Sequence, residues 1–83
     1  MYYVYILQSR STGRYYVGYS ADINARLAQH NSQSNPNRST RNRGPWQVIY
    51  TEKLPDKATA YARERQIKSY KGGNGFKKLL GLL

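Results

Sequence analysis

The sequence predicts an α+β fold in which helices flank a small, mainly antiparallel three-stranded sheet, in the order β-β-α-β-α-α. Three observations support this fold class. β-Branched and aromatic residues are concentrated in three short runs, as in strands. Turn-forming residues join the first two runs, which is typical of a β-hairpin, and other apolar residues recur at helical spacing. The chain of 83 residues has the length of one domain, and we expect residues 1–83 to form it.

The hairpin is predicted from residues 2–8 and 15–19, with the turn at 9–14. The apolar start has no basic segment and no small-residue cleavage site, so we interpret it as a strand and not as a signal peptide. Gly18 interrupts the second strand. A glycine inside a strand often marks a bulge or a place where another group comes close to the backbone.

The first helix is predicted to begin after Asp22, whose carboxylate can accept from the free amides of the first turn, and to end near Asn31. Arg26 and His30 lie four residues apart and therefore neighbour each other on its surface. Residues 32–44 contain no apolar side chain and are predicted to form a mobile, basic loop. Loops of this length are usually functional or disordered.

A third strand is predicted at residues 45–51, followed by a long helix at 57–70 with Asp56 as its cap. One face of this helix carries two apolar residues and a carboxylate, namely Ala60, Ile67 and Glu64. The glycines after Lys71 should end the helix. Asn74 is predicted to cap a last short helix whose apolar residues close over the core: Phe76, Leu79, Leu80 and Leu83.

Charge indicates the class of partner. Fourteen Lys and Arg residues stand against four acidic residues, which gives a net charge of +10. A field of this sign attracts polyanions, of which nucleic acid is the commonest. No predicted helix pairs a basic face with a long apolar face, so we expect no membrane partner. There is no cysteine, which excludes disulfides and zinc-thiolate sites.

The acidic residues are too few for a cluster of carboxylates around two metal ions. The two aspartates are assigned to helix caps, and Glu52 is expected to be solvated at a strand exit. Glu64 remains, on the apolar face of the long helix, where an unpaired carboxylate is costly. Two interpretations stay open: an ion pair with Lys68 or Lys57, or a ligand for Mg²⁺, which commonly takes only one or two carboxylates.

Four other side chains have suitable chemistry: Tyr5, Tyr16, Arg26 and His30. Taken singly, each has an ordinary structural explanation, such as sheet packing or a solvated charge. An arginine presents a planar fork that suits a phosphate, and a histidine can pass a proton near neutral pH. Together with Glu64, these groups are the components of a one-metal phosphodiester hydrolase.

Five features in this order resemble the GIY-YIG nuclease superfamily, and above all its small, stand-alone bacterial members. They are Tyr3-Val4-Tyr5 for the first motif, Tyr16-Val17-Gly18 for the second, and then Arg26, His30 and Glu64. The resemblance covers essentially the whole chain. The chain departs from the family at Tyr3, where the first motif has glycine. A late asparagine of the family corresponds in order to Asn74, either as a site residue or only as a helix cap.

The resemblance implies an endonuclease that hydrolyses DNA with Mg²⁺ or Mn²⁺ held by Glu64. Tyr5 would be the base, with His30 in support. Tyr16 would bond the scissile phosphate, and Arg26 would stabilise the transition state. Gly18 would let the phosphate approach the strand. The remaining predicted nucleic-acid contacts are basic residues and one asparagine: Arg38, Arg41, Arg43, Lys68, Lys71 and Asn74.

Two alternatives stay open beside this hypothesis. One is a binding module for DNA or RNA that performs no chemistry, and the other is a nuclease subunit whose protein partner supplies specificity or activity. For the enzyme itself we expect little sequence specificity and a preference for branched, damaged or single-stranded DNA, as in repair or recombination. The expected location is the cytoplasm.

Overall fold

The computed structural model describes residues 1–32, 34–37 and 40–81. The predictions for Arg38 and Leu83 concern residues outside these ranges. The elements are β1 (Tyr2–Ser9), β2 (Tyr15–Ser20), α1 (Ile23–His30), β3 (Trp46–Leu54), α2 (Lys57–Ser69) and α3 (Asn74–Leu79). The predicted order β-β-α-β-α-α and the α+β class are confirmed.

The three strands form one antiparallel sheet in the order β2-β1-β3. The first two strands form the predicted hairpin, with Tyr5 opposite Gly18 and Leu7 opposite Tyr16. β1 pairs with a strand along each edge, and helices cover both of its faces. Val4, Ile6 and Leu7 are fully buried.

Each face of the sheet has its own apolar cluster. Val4 and Ile6 pack with Ala60 and Ile67 of α2 and with Phe76 of α3. On the opposite face, a second cluster joins β1, α1 and β3 through Tyr5, Leu7, Trp46, Ile23, Leu27 and Val48. Successive residues of a strand point to opposite faces, so one strand supplies both clusters. Within the described residues, none of the helices has the length and apolar character that a bilayer span requires.

An extra residue in β3 changes which face its side chains reach. Ile6 pairs with Tyr50 and Leu7 pairs with Val48, so Ile49 has no partner and forms a β-bulge. Val48 therefore packs in the α1 cluster and Tyr50 in the α2 cluster, although the two are only two positions apart in the strand. Without the bulge, both would point to the same face.

The caps of the two longer helices follow the prediction. Asp22 accepts a hydrogen bond from the Ala25 amide and Asp56 accepts one from the Thr59 amide. The prediction for Asn74 is wrong, because Gly73 occupies the N-cap position of α3 and makes no side-chain cap bond. Asn74 is instead the first helical residue and is exposed.

The expectation that Glu52 is solvated at a strand exit is also wrong. The third strand continues to Leu54, and both carboxylate oxygens of Glu52 accept from Nε of Arg63, at 3.0 and 3.1 Å. The Tyr50 hydroxyl donates to the same carboxylate at 2.8 Å. Glu52 therefore ties β3 to α2.

The described residues of the segment at 32–44 are anchored at several places, whereas its composition predicts a mobile loop. Asn31 pairs with the backbone of Trp46 through both atoms of its amide. The Trp46 indole donates to the backbone carbonyl of Thr40 at 3.0 Å. Asn35 and Thr40 are 1 % and 0 % exposed. Polar side chains of this segment thus form part of the interior beneath α1.

Candidate active site

A cleft of about 400 Å³ opens beside β2 and contains most of the predicted catalytic residues. We call it the Tyr5 cleft, and its lining includes Tyr5, Tyr16, Gly18, Arg26 and Glu64. These residues are supplied by β1, β2, α1 and α2. Residues that are as many as 59 positions apart in the sequence therefore meet in one place.

The Tyr5 cleft lies at an edge of the sheet, which explains how both layers of helices reach it. Tyr5 and Tyr16 belong to the face that packs on α1, whereas Glu64 is on the helix that covers the opposite face. Gly18 is in β2, an edge strand, and lacks a side chain at the level of Tyr5. Groups from both faces can therefore approach each other around this part of the strand.

Gly18 is required by the Tyr5 ring. A Cβ atom at position 18 would lie 2.6 Å from the Tyr5 hydroxyl oxygen and 2.7 Å from the carbon that bears it. Such distances are far below van der Waals contact. The sequence predicted that Gly18 gives room to a phosphate. The nearest group in the structure is the phenol of the opposite strand, and the approach of a phosphate to Gly18 stays a prediction.

The Tyr5 hydroxyl is 3.2 Å from Nε2 of His30, and both residues are buried. On the other side of the ring, Nδ1 of His30 is 2.7 Å from the Thr40 hydroxyl. Asn35 donates to that hydroxyl at 2.8 Å. His30 therefore does not line the cleft itself but stands behind Tyr5. Sequence analysis missed Asn35 and Thr40, and no signal marks them among the polar residues of their loop.

Burial sets the protonation of this pair. It raises the pKa of Tyr5 to about 12, with a further increase from Tyr16, while the nearby Arg26 opposes the shift and Glu64 adds to it. Burial also lowers the pKa of His30 from its ordinary value of 6.5, and Arg26 lowers it further. Near neutral pH the phenol therefore holds its proton and the imidazole is uncharged.

Among the described residues that line the Tyr5 cleft, Glu64 is the only one with an acidic side chain. Its side chain is 11 % exposed, and its carboxylate is 3.4 Å from Nζ of Lys68. The predicted ion pair with Lys68 thus exists, whereas Lys57 lines the same cleft without forming one. The Lys68 ammonium also lies over the Tyr16 ring, 6.0 Å from its centroid.

The donor set at Glu64 fits a hard cation such as Mg²⁺. Within the described ranges no group of three His, Cys, Asp or Glu side chains comes together. A single carboxylate in an open, oxygen-lined cleft matches the way Mg²⁺ keeps several waters and shares substrate oxygens. The exposed Lys68, at the end of a flexible stem, can move away from the carboxylate at small cost.

Arg26 and Tyr16 present hydrogen-bonding groups in the same cleft. Arg26 is exposed, and one of its guanidinium nitrogens donates to Gln29 at 3.0 Å. The ion pairs found within the described residues do not include it. The Tyr16 hydroxyl accepts from the Asn37 amide at 2.9 Å, so its own proton can be donated to another group.

The predicted nucleic-acid contacts fall in different places. Lys68 and Lys71 line a second depression, which we call the Lys71 groove, together with Arg14, Tyr15, Phe76 and Tyr16, a residue shared with the Tyr5 cleft. Arg41 and Arg43 are exposed on the loop, apart from both depressions, and Asn74 lines neither of them. Arg38 lies outside the described residues.

Replacement of Gly18 by alanine should force the Tyr5 ring out of its position. We expect a loss of about 1–3 kcal/mol in the free energy of unfolding, measured by urea denaturation, as for other overpacked sites. In a Tyr5→Leu background the ring is absent, so the same alanine should cost clearly less. An equal cost in both backgrounds would show that Tyr5 is not the group that requires glycine.

His30 should make stability depend on pH. The pKa of His30 in the folded protein is below the ordinary value of 6.5. As the pH falls through about 6.5, the unfolded chain therefore binds more protons than the folded protein does. The free energy of unfolding should therefore decrease from about pH 7.5 to about pH 5.5. It should change less in His30→Gln, since the chain has one histidine. Equal pH dependence of both proteins would contradict a lowered pKa.

Comparison with known proteins agrees with this arrangement. A family model described as the GIY-YIG catalytic domain matches residues 1–77. A UPF0213 protein of Halobacterium salinarum is 38 % identical over 68 residues, which is 82 % of this chain and 86 % of that protein. A UPF0213 protein of Staphylococcus epidermidis is 36 % identical over 69 residues, with 83 % and 82 % covered.

A solved structure has the same fold. The solution NMR structure of a UPF0213 protein from Bacillus halodurans superimposes with a TM-score of 0.60 at 31 % identity, and the match covers 99 % of this chain and 85 % of that one. The family model spans each of the residues that line the Tyr5 cleft. The chain therefore belongs to the GIY-YIG catalytic domain family, among relatives that are small UPF0213 proteins.

Proposed function

We propose that this protein is an endonuclease that hydrolyses phosphodiester bonds of DNA in the Tyr5 cleft, with one Mg²⁺ or Mn²⁺ held by Glu64. The observation that carries the proposal is the convergence of Tyr5, Tyr16, Arg26 and Glu64 on one cleft in a member of this family. A base, hydrogen-bond donors, a cation and a carboxylate metal ligand are the groups that such a hydrolysis requires.

In the proposed reaction, Tyr5 as a phenolate takes a proton from the attacking water. The water oxygen forms a bond to phosphorus, the bond from phosphorus to the leaving oxygen breaks, and that oxygen takes a proton from solvent. With a pKa of about 12, only about one Tyr5 in 10⁵ is a phenolate at pH 7 in the free protein. When bound, the metal ion would supply positive charge that favours the phenolate and stabilises the leaving oxygen.

Arg26 and Tyr16 would hold the phosphate. The guanidinium fork of Arg26 can donate to two nonbridging oxygens and so stabilise the charge that develops on them. The Tyr16 proton is available for one of the same oxygens, because the Tyr16 oxygen itself accepts from Asn37. The bond from Asn37 helps to hold Tyr16 in place before the substrate binds, which lowers the cost of reorganisation during the reaction.

The Lys71 groove supports a route for the DNA backbone away from the cleft. It adjoins the Tyr5 cleft at Tyr16, and its rim carries Arg14, Lys68 and Lys71. The Tyr15 ring is 42 % exposed there and contacts Phe76 edge to face. Cations with an exposed aromatic ring suit a nucleic-acid strand, and the ring could stack on an unpaired base. This favours single-stranded or branched DNA, such as repair or recombination intermediates.

A second candidate function is nucleic-acid binding without hydrolysis. The ion pair between Glu64 and Lys68 favours it, because a carboxylate that is already neutralised has less tendency to bind a metal ion. The two candidates differ in whether bound nucleic acid is cleaved and in whether that cleavage requires Glu64.

Tyr5→Phe and Glu64→Gln should each reduce cleavage by at least about 10²-fold, because one removes the base and the other the metal ligand. Affinity for the substrate should change less than about threefold, since neither residue supplies charge to the backbone contacts. The assay uses pure protein with Mg²⁺ or Mn²⁺ and labelled duplex, single-stranded and branched DNA, together with RNA.

Tyr19→Phe is the matched control, because Tyr19 lines the same cleft and should retain cleavage. Unimpaired cleavage by Tyr5→Phe and Glu64→Gln would contradict the proposed roles. Tight binding without cleavage of any substrate would favour the binding module. Cleavage that appears only after addition of cell extract would indicate a partner protein.

DNA binding should weaken strongly with salt. If about five to seven phosphates are neutralised, log K should fall against log salt with a slope of about −4.5 to −6. Lys71→Ala should make the slope shallower by about 1. Lys53→Ala, on β3 at the other side of the sheet, is the control and should leave the slope unchanged. A wild-type slope shallower than about −2 would argue against this electrostatic binding.

A further inference from the structure

The hydrogen bonds behind Tyr5 have a direction that two backbone groups determine. Oδ1 of Asn35 accepts from the backbone amide of Asn37 at 2.9 Å, and Nδ2 of Asn35 donates to the backbone carbonyl of His30 at 3.0 Å. A backbone amide can only donate and a carbonyl can only accept. The amide of Asn35 therefore has one possible orientation.

The orientation of Asn35 determines the role of the Thr40 hydroxyl. The second proton of Nδ2 points to the Thr40 oxygen at 2.8 Å, so that oxygen accepts from Asn35. Thr40 is fully buried, and among the described residues the other hydrogen-bonding partner of its hydroxyl is Nδ1 of His30 at 2.7 Å. If Nδ1 carried a proton, the Thr40 proton would be buried without an acceptor among the described residues, which is unfavourable. Thr40 therefore donates to Nδ1.

We propose that Asn35 and Thr40 are positioning residues that hold His30 in the tautomer with its proton on Nε2, so that His30 donates a hydrogen bond to the Tyr5 oxygen. The donors then run in one direction, from Asn35 to Thr40 to His30 to Tyr5. The role in hydrolysis rests on the function proposed above, whereas the tautomer is a property of the protein itself.

This direction gives His30 a defined part in the chemistry. With its proton on Nε2, the neutral imidazole offers Tyr5 no lone pair and does not accept the phenol proton. The Tyr5 proton points instead toward the cleft and leaves on that side. The bond from Nε2 persists after Tyr5 has lost its proton, and a hydrogen bond to the charged form stabilises that form. Thr40 and Asn35 thus favour the phenolate without contacting it.

NMR detection of the two imidazole nitrogens tests the tautomer without substrate or activity. In the wild-type protein above pH 7, Nε2 should show the chemical shift of a protonated nitrogen and Nδ1 that of an unprotonated one. A single histidine makes the assignment unambiguous. Protonated Nδ1 in the wild-type protein would overturn the proposal, whatever the protein does to DNA.

Asn35→Asp should reverse the direction. The carboxylate accepts the Thr40 proton, so the Thr40 oxygen accepts from His30 and the histidine proton moves to Nδ1. Thr40→Ser is the matched control, because it keeps the hydroxyl and should keep the proton on Nε2. If Asn35→Asp folds and the proton stays on Nε2, Asn35 and Thr40 do not set the tautomer and the proposal is wrong. If it does not fold, the wild-type measurement still decides.

Cleavage tests the positioning role separately. Thr40→Val should lower kcat by about tenfold with unchanged affinity for DNA, and Thr40→Ser should restore it. His30→Gln, which can place an amide donor near Nε2, should retain more activity than His30→Leu. Equal activity of Thr40→Val and wild type would overturn the role in catalysis. If the wild-type protein cleaves nothing, the proposed function fails, and the nitrogen shifts alone decide the tautomer.

Discussion

The contact between the Tyr5 phenol and the space left by Gly18 is the constraint on which the site depends. Tyr5 is on the central strand, so packing on both sides holds it. Its hydroxyl nevertheless reaches the cleft at the sheet edge, because the opposite residue of β2 has no side chain. The same absence lets Glu64 from one layer and Arg26 from the other line a common cleft. The pairing register of the hairpin thus matters to the site, because it places a residue without a Cβ atom opposite Tyr5.

Because the chain has only four acidic residues, the structural role of each one can be stated. Asp22 and Asp56 cap helices, Glu52 joins β3 to α2 through Arg63, and Glu64 lines the Tyr5 cleft. The first three accept hydrogen bonds from protein groups. Among the described residues Glu64 is paired only with a flexible lysine at 3.4 Å, which leaves its carboxylate the best placed to accept a cation from solution.

Local patterns predicted most of this fold, and two of their failures share one cause. The hairpin, both aspartate caps and the buried face of α2 follow from residue types at fixed spacing. The bulge at Ile49 and the bonds of Asn35 and Thr40 do not, because they depend on contacts between separate segments. The N-cap of α3 lies one residue earlier than predicted, at Gly73. Motif order identified Tyr5, Tyr16, Arg26 and Glu64 as a set, whereas the reason for Gly18 required the opposite strand to be seen.

Burial of Tyr5 has two opposing consequences, and the surroundings of the ring balance them. It fixes the position of the hydroxyl, yet it raises the pKa to about 12 and so disfavours the phenolate. A charged His30 would help a phenolate, but burial and Arg26 keep the imidazole neutral. Two groups are left to favour the phenolate. They are the neutral imidazole of His30, which donates from behind the ring, and the positive charge of Arg26 in front of it. A buried Thr40 hydroxyl is suited to this, because it fixes the imidazole without adding a charge that would have to be desolvated.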